Sequence, residues 1–235
     1  SGEREYYTLN FAPFNILEEL DNNYIKLNVI DLKAQAEFNW QIFKGLKYNF
    51  TGAIRYVRSK QEHEIHENSN MANAYRAAGN STIRENNPYL YKDPSDPSAE
   101  PIVVLSKGGF YNTAENLLLN YDIRNSVSFS KIWNEKHEFN ALLGQQIKYS
   151  DRQTNSNTGY GFQYDMGGTV SMNYLIMKQM IEQNFDYYSR ALTYDRFAAF
   201  YANVDYTYDR RYSISGTVRY DAFCNNWLRY AAPTQ

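Results

Sequence analysis

One cysteine, Cys224, stands in 235 residues, so an internal disulfide framework and a thiolate metal cluster are both excluded. Long apolar runs are missing too. No stretch approaches the roughly 18–20 apolar residues that a membrane-spanning helix needs. Charge of one sign is also lacking, with 24 Lys and Arg against 26 Asp and Glu. That balance argues against nucleic acid as a partner, since such a partner selects a basic stripe. No apolar segment follows Ser1-Gly2-Glu3-Arg4-Glu5, so a signal peptide is not expected there. A mean hydropathy of −0.67 disfavours a helical membrane protein. It leaves a β-barrel open, because half of every barrel strand faces water.

What the chain has instead is aromatic residues, 17% of the total and 23 of them Tyr, set in strict alternation. From Ile30 to Gln41, Ile30, Leu32, Ala34, Ala36, Phe38 and Trp40 alternate with Asp31, Lys33, Gln35, Glu37, Asn39 and Gln41. Period two is the mark of a strand with one apolar and one wet face. A short connection through Gly45 leads to Leu46, Tyr48, Phe50, Gly52, Ile54 and Tyr56 on a return strand. The unit recurs around Asn134-Glu135-Lys136 and around Asp209-Arg210-Arg211. Strands are thereby predicted at roughly 30–41, 46–58, 117–130, 138–150, 197–208 and 211–221, with long loops at 59–110 and 151–190.

The apolar faces together hold about 36 positions without Asp, Glu, Lys or Arg, as either a lipid-facing wall or a soluble sandwich core demands. Strand length separates the two. Runs of about 10–14 residues suit a tilted membrane-crossing strand, whereas sandwich strands run about 5–6. Trp40, Phe43, Trp133, Tyr206, Tyr208 and Tyr212 gather near strand ends, where a barrel carries its aromatic girdle. Short turns at one end and long polar loops at the other complete the pattern. The fold class expected is therefore all-β, an antiparallel transmembrane β-barrel segment. Six strands do not close a barrel, so the chain is expected to be part of a longer wall.

Several segments resemble the SusC/RagA-like TonB-dependent transporters of Bacteroidetes outer membranes. Ala12-Pro13-Phe14-Asn15-Ile16-Leu17-Glu18 is similar to the family's Asn-Pro-Leu-Ala-x-Leu-Glu segment, with Ala12 where Asn is usual. Lys44-Gly45-Leu46-Lys47-Tyr48 resembles its Lys-Gly-Leu-x-Phe turn. The run from Asp195 to Tyr212, continuing through Ile214 to Asp221, is similar to its R-x-x-x-F-x-R-x-N-Y-x-Y-x-D-R-Y hairpin. Ala222 stands where Gly usually follows, and beyond Cys224 the pattern dissolves. The resemblance implies a partial barrel domain spanning 1–235 in the cell outer membrane, lacking the plug and the barrel C-terminus. It also implies import of oligosaccharides or peptides, a SusD-like surface lipoprotein as partner, and energy from a TonB complex through parts outside this chain.

Other chemistry is sparse. Glu62-His63-Glu64-Ile65-His66-Glu67 invites a metal, but His63 and His66 point to opposite faces of a strand. A hydrated strand end is the plainer reading, and no metal is expected. Gly159 to Gly168 lacks the Lys-Ser/Thr of a phosphate loop and reads as a loop of aromatic platforms able to stack on sugars. Met172, Leu175, Ile176 and Met180 have helical spacing, for a short loop helix or a dock for a lid protein. Asn86-Asn87-Pro88 and Lys92 to Ser98 read as exposed turns. No Ser/His/Asp, Cys/His or paired-carboxylate site stands out, so no catalytic residue, enzyme activity or cofactor is expected.

Overall fold

The computed structural model describes residues 4–231, with side chains described as far as Cys224. A small hairpin of β1 (Tyr7–Leu9) and β2 (Ala12–Phe14) leads to helix α1 (Ile16–Asn22). Asn15 caps α1, its side-chain oxygen accepting from the Leu17 and Glu18 amides at 3.0 and 3.2 Å. The long strands are β3 (Asn23–Phe43), β4 (Leu46–Ile65), β5 (Gly109–Trp133) and β6 (His137–Gln163), then β8 (Tyr188–Tyr208) and β9 (Tyr212–Ala231). The two-residue β7 (Thr169–Val170) pairs with the end of β6. The protein is thus an all-β, antiparallel meander in the order β3-β4-β5-β6-β8-β9.

The register keeps each apolar series on one side. Ala36, Gly52, Ile123, Ile147, Ala198 and Ala222 form one row across all six long strands. No second sheet packs on this face among the described residues. Its large side chains stay open, with Leu32 63%, Leu143 60% and Phe200 52% exposed. Two amides interrupt the band. Asn125 and Gln145 stand opposite one another, and the Tyr48 hydroxyl donates to Asn125 at 2.7 Å.

The upper edge of the band runs obliquely. Arg58 is the first charge above it on β4, and Arg196 is the first on β8. Arg196 lies level, through Tyr149 and Tyr121, with Ile54, four residues below Arg58. Four residues of ~3.4 Å against three strand spacings of ~4.8 Å give a slope of about 43°. Asp151 on β6 falls between them, level with Tyr56; Glu115 on β5 lies above the line and is ion-paired to Arg58. At that slope the band on β3, Ile30 to Trp40, spans about 25 Å of height.

The strands outrun the alternation. The connections are 66–108 and 164–187, not the 59–110 and 151–190 expected, and β9 continues to Ala231 past the expected end at 221. Above the band both faces are wet, for instance Gln153, Asn155 and Asn157 against Thr154, Ser156 and Thr158, so hydropathy loses its period while the ladder continues. The turns are as tight as expected, with Gly45 at φ 98° and pairs of residues at positive φ in Asn134-Glu135 and Asp209-Arg210.

The buried core lies in the loops, not beneath the sheet. Ile65, Phe110 and Tyr160, paired in register at the top of the charged face, meet Ala72, Tyr75, Tyr91, Val104 and Leu105 of the first long loop and Ile176 and Met180 of the second. The loops therefore fold over the wet face, forming a cap at the end opposite the tight turns.

Candidate functional site

Many of the charges on the wet face of the wall are paired. Arg55 clasps Asp31 through two contacts of 3.0 and 2.6 Å across β3 and β4. On β5, Asp122 accepts from Arg124 at 3.1 Å through both oxygens, with Lys148 of β6 at 3.9 Å. Gln146, buried beside them, turns its oxygen toward Arg124, 2.9 Å from Nε, because a guanidinium offers only donors. Arg152 stands 3.6 Å from Asp195, and Arg219 donates to Asp221 at 2.8 Å. About half of each arginine is exposed, so these pairs contribute little stability. They present alternating fixed charges to solvent along a surface suited to polar solutes. No nucleophile–base pair occurs among them.

The cap has the more enclosed chemistry. Loop 66–108 holds helices α2 (Asn70–Ala74) and α3 (Ser81–Asn86), and loop 164–187 holds α4 (Tyr174–Glu182). The fully buried Ser69 caps α2, accepting from the Ala72 amide at 3.1 Å. Arg76 donates to the carbonyls of Glu67 and Gly108, tying the first loop's two ends together. Asn87, expected in an exposed turn, is fully buried. Its amide donates to the Ala74 and Ala77 carbonyls at 2.8 and 2.9 Å and accepts from the Tyr89 amide at 3.0 Å, so it splices the loop's strands of chain. Lys92 to Ser98 is an exposed turn segment as expected, with Asp93 and Asp96 each accepting from the Ser two residues on. Those bonds hold both carboxyls below the usual carboxylate range.

Helix α4 realises the helical spacing read from Leu175, Ile176 and Met180; Met172 lies before it. Ile176 and Met180 face inward, so this side of the helix is occupied by the cap. Burial pushes the Tyr75 phenol up to about 12, and Tyr160 and Tyr164 are raised by the same cause. Beneath the two loops lies a cavity of about 410 Å³. Its floor is the wall itself (Ile65, Phe110, Asn112, Thr158, Tyr160), and its roof is Met71, Tyr75, Pro88 and Tyr89 with Gln179, Met180, Gln183, Phe185 and Asp186.

The aromatic platforms expected between Gly159 and Gly168 are already spent. The chain there is strand to Gln163, not open loop. Phe162 stacks on Tyr111 at 4.9 Å, Tyr164 stacks on His66 at 3.9 Å, and Tyr160 is buried. The two histidines diverge. His63 on the wet face meets Asn23 at 2.6 Å, while His66 lies against Tyr24 and Tyr164. Among the described residues no group of three or more potential ligands gathers for a metal. At the other end, Trp40, Phe43, Trp133, Tyr208 and Tyr212 are exposed on the apolar side near the turns, and His137 packs flat on Trp133 and meets the Tyr206 hydroxyl at 2.7 Å.

No family model matches the sequence, and no curated protein matches it either. Solved structures share the fold. The RagAB peptide importer in its closed-closed state is similar over 92% of this chain and 21% of its own, at 12% identity and a TM-score of 0.58. In the open-open state the figures are 97%, 22%, 12% and 0.61. A further structure of the RagAB peptide transporter gives 95%, 22%, 13% and 0.56. The chain therefore spans about a fifth of the length of the structures it resembles.

Proposed function

We propose that this chain is part of the barrel wall of an outer-membrane transporter of the SusC/RagA type, importing oligosaccharides or peptides. The carrying observation is the oblique apolar band. One uncovered face, about 25 Å tall on strands sloped at about 43°, matches the height and tilt of a lipid-facing barrel wall. The two free strand edges, β3 and β9, would continue into neighbouring strands, since lipid does not tolerate unpaired backbone. The paired charges on the other face would then line a lumen, and the loops would cap its outer mouth. The likeness to RagAB chains over more than nine-tenths of this chain supports the same architecture. On this reading a SusD-like lipoprotein covers the cap side, and a TonB complex drives import through parts of the protein outside this chain.

The test is made on the full-length protein in its own cell envelope. Expected are recovery in the outer-membrane fraction, a heat-modifiable barrel, and uptake of labelled peptides or oligosaccharides that stops when the proton-motive force is collapsed. A barrel found there without energised uptake of either class would make it a non-transport barrel. A protein monomeric and stable in plain buffer would remove the membrane reading altogether.

A further inference from the structure

Lys33 and Arg55 stand directly opposite one another on β3 and β4, both on the wet face. Cross-strand partners hold their Cβ atoms about 5 Å apart, and like charges so placed destabilise a sheet. The wall relieves only one of the two. Arg55 turns its Nε and Nη2 onto Asp31, while Lys33 makes no ion pair among the described residues. One strand further, Arg124 likewise commits Nε and Nη2 to Asp122. A guanidinium has five N–H donors, so each arginine keeps the two on Nη1 without a protein partner. Each carboxylate thus fixes its arginine and leaves one end of the fork free. The three cations line one basin of about 260 Å³, floored by the short side chains of Thr51 and Ala53. Among the described residues Asp122 is the one carboxylate in that lining, and it is already engaged by Arg124 and by Lys148 at 3.9 Å. Glu37, farther down β3, accepts from Gln35 at 2.7 Å and lies outside the lining.

We propose that this basin binds an oxyanion of the phosphate or sulfate class, with Lys33 and the Nη1 groups of Arg55 and Arg124 as its donors. The ion brings acceptors on every side to groups that only donate, and charge-assisted bonds of this kind are the strong ones. Its charge also removes the repulsion that Lys33 meets across the strand pair. A neutral solute would satisfy the donors and leave that repulsion in place; a cation would add to it. The same chemistry serves a free ion or a group carried on a larger solute. The site goes beyond the transport reading and does not rest on it, because ion binding is measured on purified protein whether or not that protein imports anything.

The experiment follows the phosphorus NMR linewidth of inorganic phosphate with the full-length protein in detergent at low salt. The line broadens with protein, narrows again when sulfate is added, and ignores glucose. Glucose 6-phosphate separates the two sources of the group. Displacement at a lower concentration than phosphate itself needs means a group carried on a solute, and at a higher one a free ion. Lys33→Gln weakens phosphate about two- to fivefold, the range of an exposed ion pair, while Lys33→Arg retains it. Lys47→Gln makes the same charge change farther down the wet face of β4 and leaves binding as it was. Arg55→Lys keeps the charge but loses the fork; it weakens binding too, and decides the matter if Lys33→Gln fails to fold. Absence of broadening at low salt, an equal loss in Lys47→Gln, or unchanged binding in a folded Lys33→Gln would each overturn the assignment.

Discussion

Gly144 shows how closely the wet face of the wall is fitted. It lies in register with Tyr201 of the next strand, and a Cβ there would overlap the tyrosine ring. The ring thus lies over the glycine's bare backbone, covering a position that would otherwise open the ladder to water. Gly144→Val is expected to destabilise the sheet by about 1–3 kcal/mol, the usual cost of overpacking. The check is the unfolding midpoint in urea with the full-length protein in vesicles, and adding Tyr201→Ala should restore most of the loss. The glycine is visible in the sequence, but its partner is 57 residues away. Nothing local marks Tyr201 as the ring that needs it. The same holds for Asn125 and Gln145. The alternation passes over them as faults, and only the register shows that they face each other.

Among the elements, the cap stands out because the buried core lies there and not along the sheet. Its core draws on five separated segments around Ile65, Tyr75, Tyr91, Phe110 and Ile176, with Tyr160 between. Contacts at such separations leave no periodic trace, so the sequence offered only the helix of α4 and a pair of loops. Burial raises the Tyr75 phenol from an ordinary 10.0 to about 12. Below pH 10 the phenol is neutral in both the folded and unfolded cap, and stability does not change. Between pH 10 and 12 the unfolded form loses the proton and the folded form keeps it, so stability falls by about 1.4 kcal/mol per pH unit. Tyrosinate absorbance at 295 nm should therefore show a late-titrating fraction, shared with Tyr160 and Tyr164, that Tyr75→Phe reduces by one phenol, and the alkaline loss of cap stability should shrink with it. If the late fraction is unchanged in that variant, Tyr75 is not the buried group.

For the whole molecule, the deciding contrast is between its two faces. Ile123 sits mid-band, and Ser126, three residues on, faces the opposite side. Ile123→Arg is expected to cost about 2–4 kcal/mol in a bilayer, while Ser126→Arg should fall near the small values of surface substitutions. Urea unfolding of the full-length protein in vesicles measures both, and equal tolerance would mean that the Ile123 face meets water. The banded half of each strand was legible because its two faces differ in polarity there. The outer half was not, because water on both sides enforces nothing. That outer half is nonetheless continuous ladder. The 27 residues of β6 extend along a tilted path that rises on the order of 65 Å, against an apolar band about 25 Å tall. On the transporter reading, a bilayer of about 40–45 Å with its headgroups leaves on the order of 20 Å of hydrogen-bonded wall standing clear of it. On that reading the cap rides on the projecting wall, and a reporter group placed on its exposed Lys92–Ser98 turn would be reached by an antibody on an intact cell.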